Sequence, residues 1–179
     1  MYIKSEWDAA KHIPKCPTLV VRLEGSEELP CRPLQDSSLY TVLDYGPVPE
    51  YHLDAFLSPQ VLYPTIHDCG NDQSRIEARQ DVLDNLEECV RRGNLFDVGL
   101  ARRMIIDFEK QYRSVDALLV HCAFGACRAP TYALAMNDLF DLGFDSVWLR
   151  QRYKLISWHM YRTIMDVGST IVNREEAQV

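Results

Sequence analysis

The run Ala117-Leu-Leu-Val-His-Cys122, continued by Ala123-Phe-Gly-Ala-Cys-Arg128 and Ala129-Pro-Thr131, decides how this chain folds. Its first six residues are almost continuously apolar, with no alternation. A strand that shows no polar face is buried on both faces, which places it at the centre of a sheet whose neighbours run parallel. The next six residues, mostly small and including Gly125, read as a tight loop. A helical pattern then runs from about Ala129 to Leu142, with Tyr132, Met136, Leu139 and Phe140 on its apolar face. Pro130 suits the first turn of that helix, where a missing N–H costs nothing.

Outward from this unit, the N-terminal third is a series of short apolar runs punctuated by proline. Thr18–Leu23, Leu39–Leu43 and Gln60–Ile66 read as strands by length and β-branched content. Arg75–Arg92 carries Ile76, Leu83, Leu86 and Val90 at helical spacing and stops at Gly93. Asp97–Tyr112 is more regular: Val98, Ala101, Ile105, Phe108 and Tyr112 step by three and four, and Asp97 is placed to cap it. A last helix is expected over Leu155–Val167, with Asn173–Val179 as a frayed tail. Strands and helices mixed in this order predict an α/β fold, a central, largely parallel twisted sheet flanked by helices.

The 179 residues make one domain, 1–179, large enough to fold without staples. Nineteen basic against twenty-six acidic residues give a net charge of −7. That balance excludes nucleic acid and anionic membranes as main partners, because both demand a basic face. It leaves room for a small anion in a locally positive pocket. The longest stretch free of charged residues is Ala55–His67, thirteen residues broken by Pro59 and Pro64. A membrane span needs roughly 20 apolar residues. The first eight residues lack the apolar core of a secretory signal, so a reducing, cytoplasmic setting is expected. The six cysteines (16, 31, 69, 89, 122, 127) form no Cys-x-x-Cys pair and no zinc spacing, so neither metal nor cofactor is expected. Oligomeric state is not written in these residues.

The chemistry concentrates in 121–128. Cys122 ends a buried strand, and the loop after it feeds a helix N-terminus, where unsatisfied N–H groups and a positive dipole converge. Such a cradle, built from Ala123, Phe124, Gly125, Ala126 and Cys127, binds a tetrahedral oxyanion. Arg128 can fork onto two oxygens of that anion. The same donors favour Cys122 as a thiolate, which would lie beneath bound phosphate for in-line attack.

His121-Cys-x-x-Gly125-x-x-Arg128 resembles the active-site motif of the cysteine-dependent protein tyrosine phosphatases. Pro130-Thr131 is similar to the compact dual-specificity members. The helix with Ala101 and Ile105-Ile-Asp-Phe108, and Trp158-His-Met-Tyr161, look like those flanking the motif in compact bacterial enzymes. The resemblance covers residues 95–165, and 18–70 more weakly. It implies a protein tyrosine phosphatase-like fold of dual-specificity type and a cysteinyl-phosphate on Cys122. It also implies that Arg128 binds substrate and transition state, and that an aspartate ahead of the motif protonates the leaving group. Asp68, after the strand-like Leu62–His67, is the first candidate; Asp72 is the second, and either also suits a polar turn. His121 is implied to be a buried, hydrogen-bonded residue that tunes the cysteine.

One position departs from the pattern. The family places Ser or Thr after the arginine, hydrogen-bonded to the cysteine sulfur, and this chain has Ala129. Loss of such a bond to a charged group costs ~1.5–3 kcal/mol, or about ten- to a hundredfold in rate. Three readings stay open. One is a phosphatase of phosphotyrosine, extending to phosphoserine and phosphothreonine. Another is a weak or inactive pseudophosphatase that binds a phosphorylated ligand. The third is a phosphatase of a small phosphomonoester such as an inositol phosphate or nucleotide. Arsenate reductases that use Cys-x5-Arg carry it near the N-terminus, unlike here. Apolar Phe124 in the loop favours an aromatic substrate. Cys127 or Cys69 could trap an oxidised Cys122, although each also suits a simple space-filling role.

Overall fold

Short β-forming segments pair side by side, all in the same direction. The computed structural model describes residues 1–24, 32–46, 48 and 96–176, with side chains to residue 171. They belong to the unit built from Met1–Val48 and Phe96–Val179; the second unit, Pro49–Leu95, lies outside the described residues. Strands β1 (Tyr2–Ser5), β2 (Thr18–Leu23), β3 (Tyr40–Tyr45) and β4 (Ala117–Cys122) form a parallel sheet in the order β1–β4–β2–β3. The described helices are α1 (Glu6–Ala9), α2 (Val98–Tyr112), α3 (Arg128–Phe140), α4 (Ser146–Arg152) and α5 (Trp158–Glu176).

The unbroken apolar run of β4 has the place it requires, between β1 and β2. Alternation divides its side chains. Leu118, Val120 and Cys122 join Leu19, Val21 and Leu23 in the main core, packed with residues of α2, α3 and α5 such as Phe108, Tyr132 and Ile164. Leu119 and Val20 lie in a smaller cluster with Ala9 of α1. Helix α3 is the hub: all of Arg128–Asn137 is buried. At ~1.5–3 kcal/mol for each large apolar side chain buried, this helix holds the loop before it firmly in place. Its far end is tied down by polar bonds. Asn137 donates to the Phe144 carbonyl at 2.9 Å, and Tyr161 of α5 donates to Asp138 at 2.7 Å.

The α/β expectation holds, and β2 and β4 stand where the sequence put them. Asp97 caps α2, its carboxylate accepting from the Leu100 N–H at 2.7 Å. Three differences are instructive. The third strand is shifted to Tyr40–Tyr45, because Asp44 projects from an exposed position and Tyr45 closes the core. Helix α5 runs on to Glu176, so residues 173–176 are helical rather than frayed. Strand β1 and helices α1 and α4 were not expected. Four to seven residues give too few turns or alternations to show a period, although Asp145 caps α4 through the N–H groups of Val147 and Trp148. The expected strand Gln60–Ile66 and helix Arg75–Arg92 lie outside the described residues. Among the described residues no helix is long and apolar enough to cross a membrane.

Candidate active site

The parallel register lines up four residues, Ser5, Cys122, Leu23 and Tyr45, across the carboxyl-terminal edge of the sheet. In open α/β sheets that edge is where ligands bind. Cys122 sits in the middle of the row and is only 2% exposed. Its side chain belongs to the face covered by α3, the helix its own loop leads into.

The loop Ala123–Cys127 is pinned at both ends. On the β1 side, the Glu6 N–H donates to the Ala123 carbonyl at 3.3 Å. Gly125 has φ +66°, and a Cβ built there would stand 2.5 Å from the carbonyl carbon of Lys4 and 2.6 Å from the Ser5 nitrogen. Only glycine fits a left-handed backbone pressed that closely on another strand. On the helix side, the Cys127 carbonyl accepts from both the N–H and the hydroxyl of Thr131, at 2.9 and 2.7 Å. Cys127 precedes α3 without giving its N-terminus a side-chain cap, and no acidic residue lies in the first turn. The dipole of a thirteen-residue helix favours an anion at this end.

Arg128 is the first residue of α3 and is 3% exposed. Its Nη1 donates to the carbonyl of Glu24 and, at 3.3 Å, to that of Val48. These carbonyls follow the ends of β2 and β3, so the guanidinium stands at the same edge of the sheet as Cys122. Its guanidinium is thus fixed in place by main-chain acceptors. Tyr45, at the end of that edge, is buried against Tyr132 with ring centroids 6.5 Å apart. Burial pushes both phenols up, so both stay protonated.

One row back, Lys4, His121, Arg22 and Asp44 are in register. Arg22 pairs with Asp44 at 2.9 Å. His121 is fully buried, as the resemblance implies. The implied hydrogen bond is not seen: neither ring nitrogen has a partner among the described residues. Burial, then the charge of Arg22, lower its pKa to about 4 against a weaker opposing pull from Asp44, so the ring is neutral.

Ala129 is buried in the same core cluster as Cys122. The nearest hydroxyl in sequence, on Thr131, cannot stand in for the missing Ser or Thr. It donates to the Cys127 carbonyl and accepts from the Ser157 N–H at 2.9 Å. Cys16, Cys122 and Cys127 are thiols, none in a disulfide. Phe124 stands out from the loop, 82% exposed. Asp68, Asp72 and Cys69 lie outside the described residues.

The sequence reading missed the part played by β1 and the start of α1 in supporting the loop. A signal was available: Ser5 with an acid three residues on, a helix-start pattern. Ser5 caps α1 through the Asp8 N–H at 3.2 Å and donates to the Asp8 carboxylate at 3.0 Å. The anchoring of Arg128 on main-chain carbonyls had no such signal. Among the described residues no group of three His, Cys, Asp or Glu side chains is placed to hold a metal. Comparison with protein-family models, curated proteins and solved structures finds no match to this chain.

Proposed function

We propose that this chain is a phosphoric monoester hydrolase that works through a cysteinyl-phosphate on Cys122, within a protein tyrosine phosphatase-like fold of dual-specificity type. One observation carries the reading. A buried cysteine ends the central parallel strand, and a glycine-pinned loop joins it to an acid-free helix N-terminus that begins with a buried arginine. Those parts supply a nucleophile, amide donors and a fixed positive charge, which is what in-line transfer of a phosphoryl group requires.

In this reading the loop amides and Arg128 hold the phosphate oxygens. The Cys122 thiolate attacks phosphorus as the bond to the leaving oxygen breaks. That oxygen takes a proton from Asp68, with Asp72 the alternative donor. Water then cleaves the phosphorus–sulfur bond, releasing phosphate and restoring the thiolate. No step calls for a metal or cofactor, and a reducing cytoplasmic compartment keeps such a thiolate active. The substrates are phosphotyrosine and, in a shallow site, phosphoserine and phosphothreonine of proteins. Inositol phosphates and nucleotides are the small-molecule alternative.

Ala129 favours a second reading, a binding module for phosphorylated ligands. The sulfur lacks the hydroxyl that helps expel it from the phosphoenzyme, and Thr131 is committed elsewhere. Hydrolysis of p-nitrophenyl phosphate by the wild type and by Cys122→Ser separates the two. Turnover absent from the variant, with a phosphate adduct on the peptide carrying Cys122 after acid quench, supports the hydrolase. Equal rates in both proteins, with phosphopeptide binding retained, select the binding module.

A further inference from the structure

We infer that Trp7 is a specificity-determining residue that, together with Phe124, selects an aromatic phosphomonoester at the Cys122 site; this deepens the reading of the Cys122 loop as a phosphomonoester-binding site, whether or not it turns its ligand over, and rests on it. The placement follows from the loop's support. Ala123 precedes Phe124, and its carbonyl accepts from the N–H of Glu6, which precedes Trp7. The 3.3 Å bond and standard backbone dimensions put the Cα atoms of Trp7 and Phe124 no more than about 11 Å apart. Rings stack at centroid distances of about 4.5–7 Å, and each side chain reaches several ångströms from its Cα, so both lie within reach of a single aromatic ring held at the loop.

Both aromatics are exposed, Trp7 by 52%. Both therefore present exposed aromatic surface close in the backbone to the loop that follows Cys122. Trp7 is also held in position. Ser5 caps the turn it stands on, and the Arg32 guanidinium lies 3.1 Å from the centroid of its ring. Arg32 is itself placed by its carbonyl, which accepts from Arg22 at 3.0 Å. A ring stacked on one face by a guanidinium offers a preformed wall that loses little entropy when substrate arrives. An alkyl phosphate cannot use such a wall; the ring of phosphotyrosine can.

The test uses the full chain and two peptides identical except for phosphotyrosine or phosphoserine. The ratio of their kcat/KM values is compared between wild type and Trp7→Ala, which cancels the intrinsic difference between the leaving groups. The aromatic preference is expected to fall about fivefold in Trp7→Ala and to return in Trp7→Phe. An unchanged ratio in Trp7→Ala overturns the inference. Peptide binding to Cys122→Ser, with and without Trp7→Ala, reads the same selection without turnover. If no Cys122-dependent hydrolysis occurs but Trp7 still governs phosphotyrosine binding, the hydrolase reading fails and the inference stands. If binding is indifferent to Trp7, the inference fails whatever the catalysis. Unchanged circular dichroism shows that the variants fold.

Discussion

Gly125 rests on Lys4 so closely that the loop after Cys122 and the end of β1 form one surface, with no room between them for a single methyl group. The contact explains why a four-residue edge strand matters to the candidate site. Gly125→Ala would combine a left-handed backbone, which costs ~1–2 kcal/mol for a residue with a Cβ, with a clash against backbone that cannot yield. We expect a fall in Tm of several degrees and at least a tenfold loss of phosphate-dependent function. Gly46→Ala is the control: among the described residues no atom beyond its chain neighbours lies within 4 Å of its added carbon, and its Tm should stay near that of the wild type. Thermal unfolding followed by circular dichroism decides, and equal melting of the two variants would sink the argument.

Arg128 tests whether the guanidinium serves by charge alone. Its contacts to the Glu24 and Val48 carbonyls use directional N–H donors on a planar head, which a lysine ammonium does not reproduce. Arg128→Lys is therefore expected to behave almost like Arg128→Ala, each lowering kcat/KM for p-nitrophenyl phosphate at least a hundredfold. Both should also lower Tm, since the two carbonyls lose a buried donor. Retention of more than a tenth of wild-type activity by Arg128→Lys would show that position and charge suffice.

What the sequence disclosed depended on how far each signal extends along the chain. The continuous run Leu118–Cys122 and the three-four spacing of Val98–Tyr112 are long patterns repeated by every residue, and tertiary structure had no reason to override them. The strand, loop and helix around Cys122 were legible because they are neighbours in the chain. Their supports were not, because they come from afar: Lys4 and Ser5 meet the loop through β1, and Glu24 and Val48 meet Arg128 through carbonyls every residue possesses. Side-chain identity carries no trace of such backbone contacts. The extension of the last helix to Glu176 was missed for the opposite reason: its final residues are polar, so the apolar period fades before the helix ends.

Ala129 sets the expected kinetics. Without a hydroxyl to ease departure of the sulfur, breakdown of the phosphoenzyme should limit turnover. A burst approaching one p-nitrophenol per chain should precede a slow steady state. Ala129→Ser is expected to raise the steady-state rate about ten- to a hundredfold and to shrink the burst. Thr131→Val is the contrasting change. It removes the donor to Cys127 and leaves the Ser157 N–H unpaired, costing roughly 1–3 kcal/mol of stability without improving turnover. Rapid-quench kinetics and urea titration measure the two effects, and the absence of a burst in the wild type counts against rate-limiting breakdown.

His121 makes the protein sensitive to acid in a defined window. The folded ring has a pKa of about 4, lowered by burial and then by Arg22, whereas the unfolded ring keeps a value near 6.5. Between those limits the unfolded chain binds a proton that the folded chain refuses, so the unfolded state gains as pH falls. Stability associated with the neutral ring is intact above about pH 6.5, declines below it, and is fully lost near pH 4. The span corresponds to about 3 kcal/mol. His121→Leu keeps the position apolar and removes two nitrogens that have no partner among the described residues. It should change stability little at pH 7.5 and flatten the loss between pH 6.5 and 4, while carboxylates shared by both proteins cancel in the difference. Urea unfolding of the pair at pH 7.5, 5.5 and 4.5 gives the comparison. Parallel curves across the three values would mean that the ring is already protonated in the fold, and that a counter-charge, rather than burial, governs it.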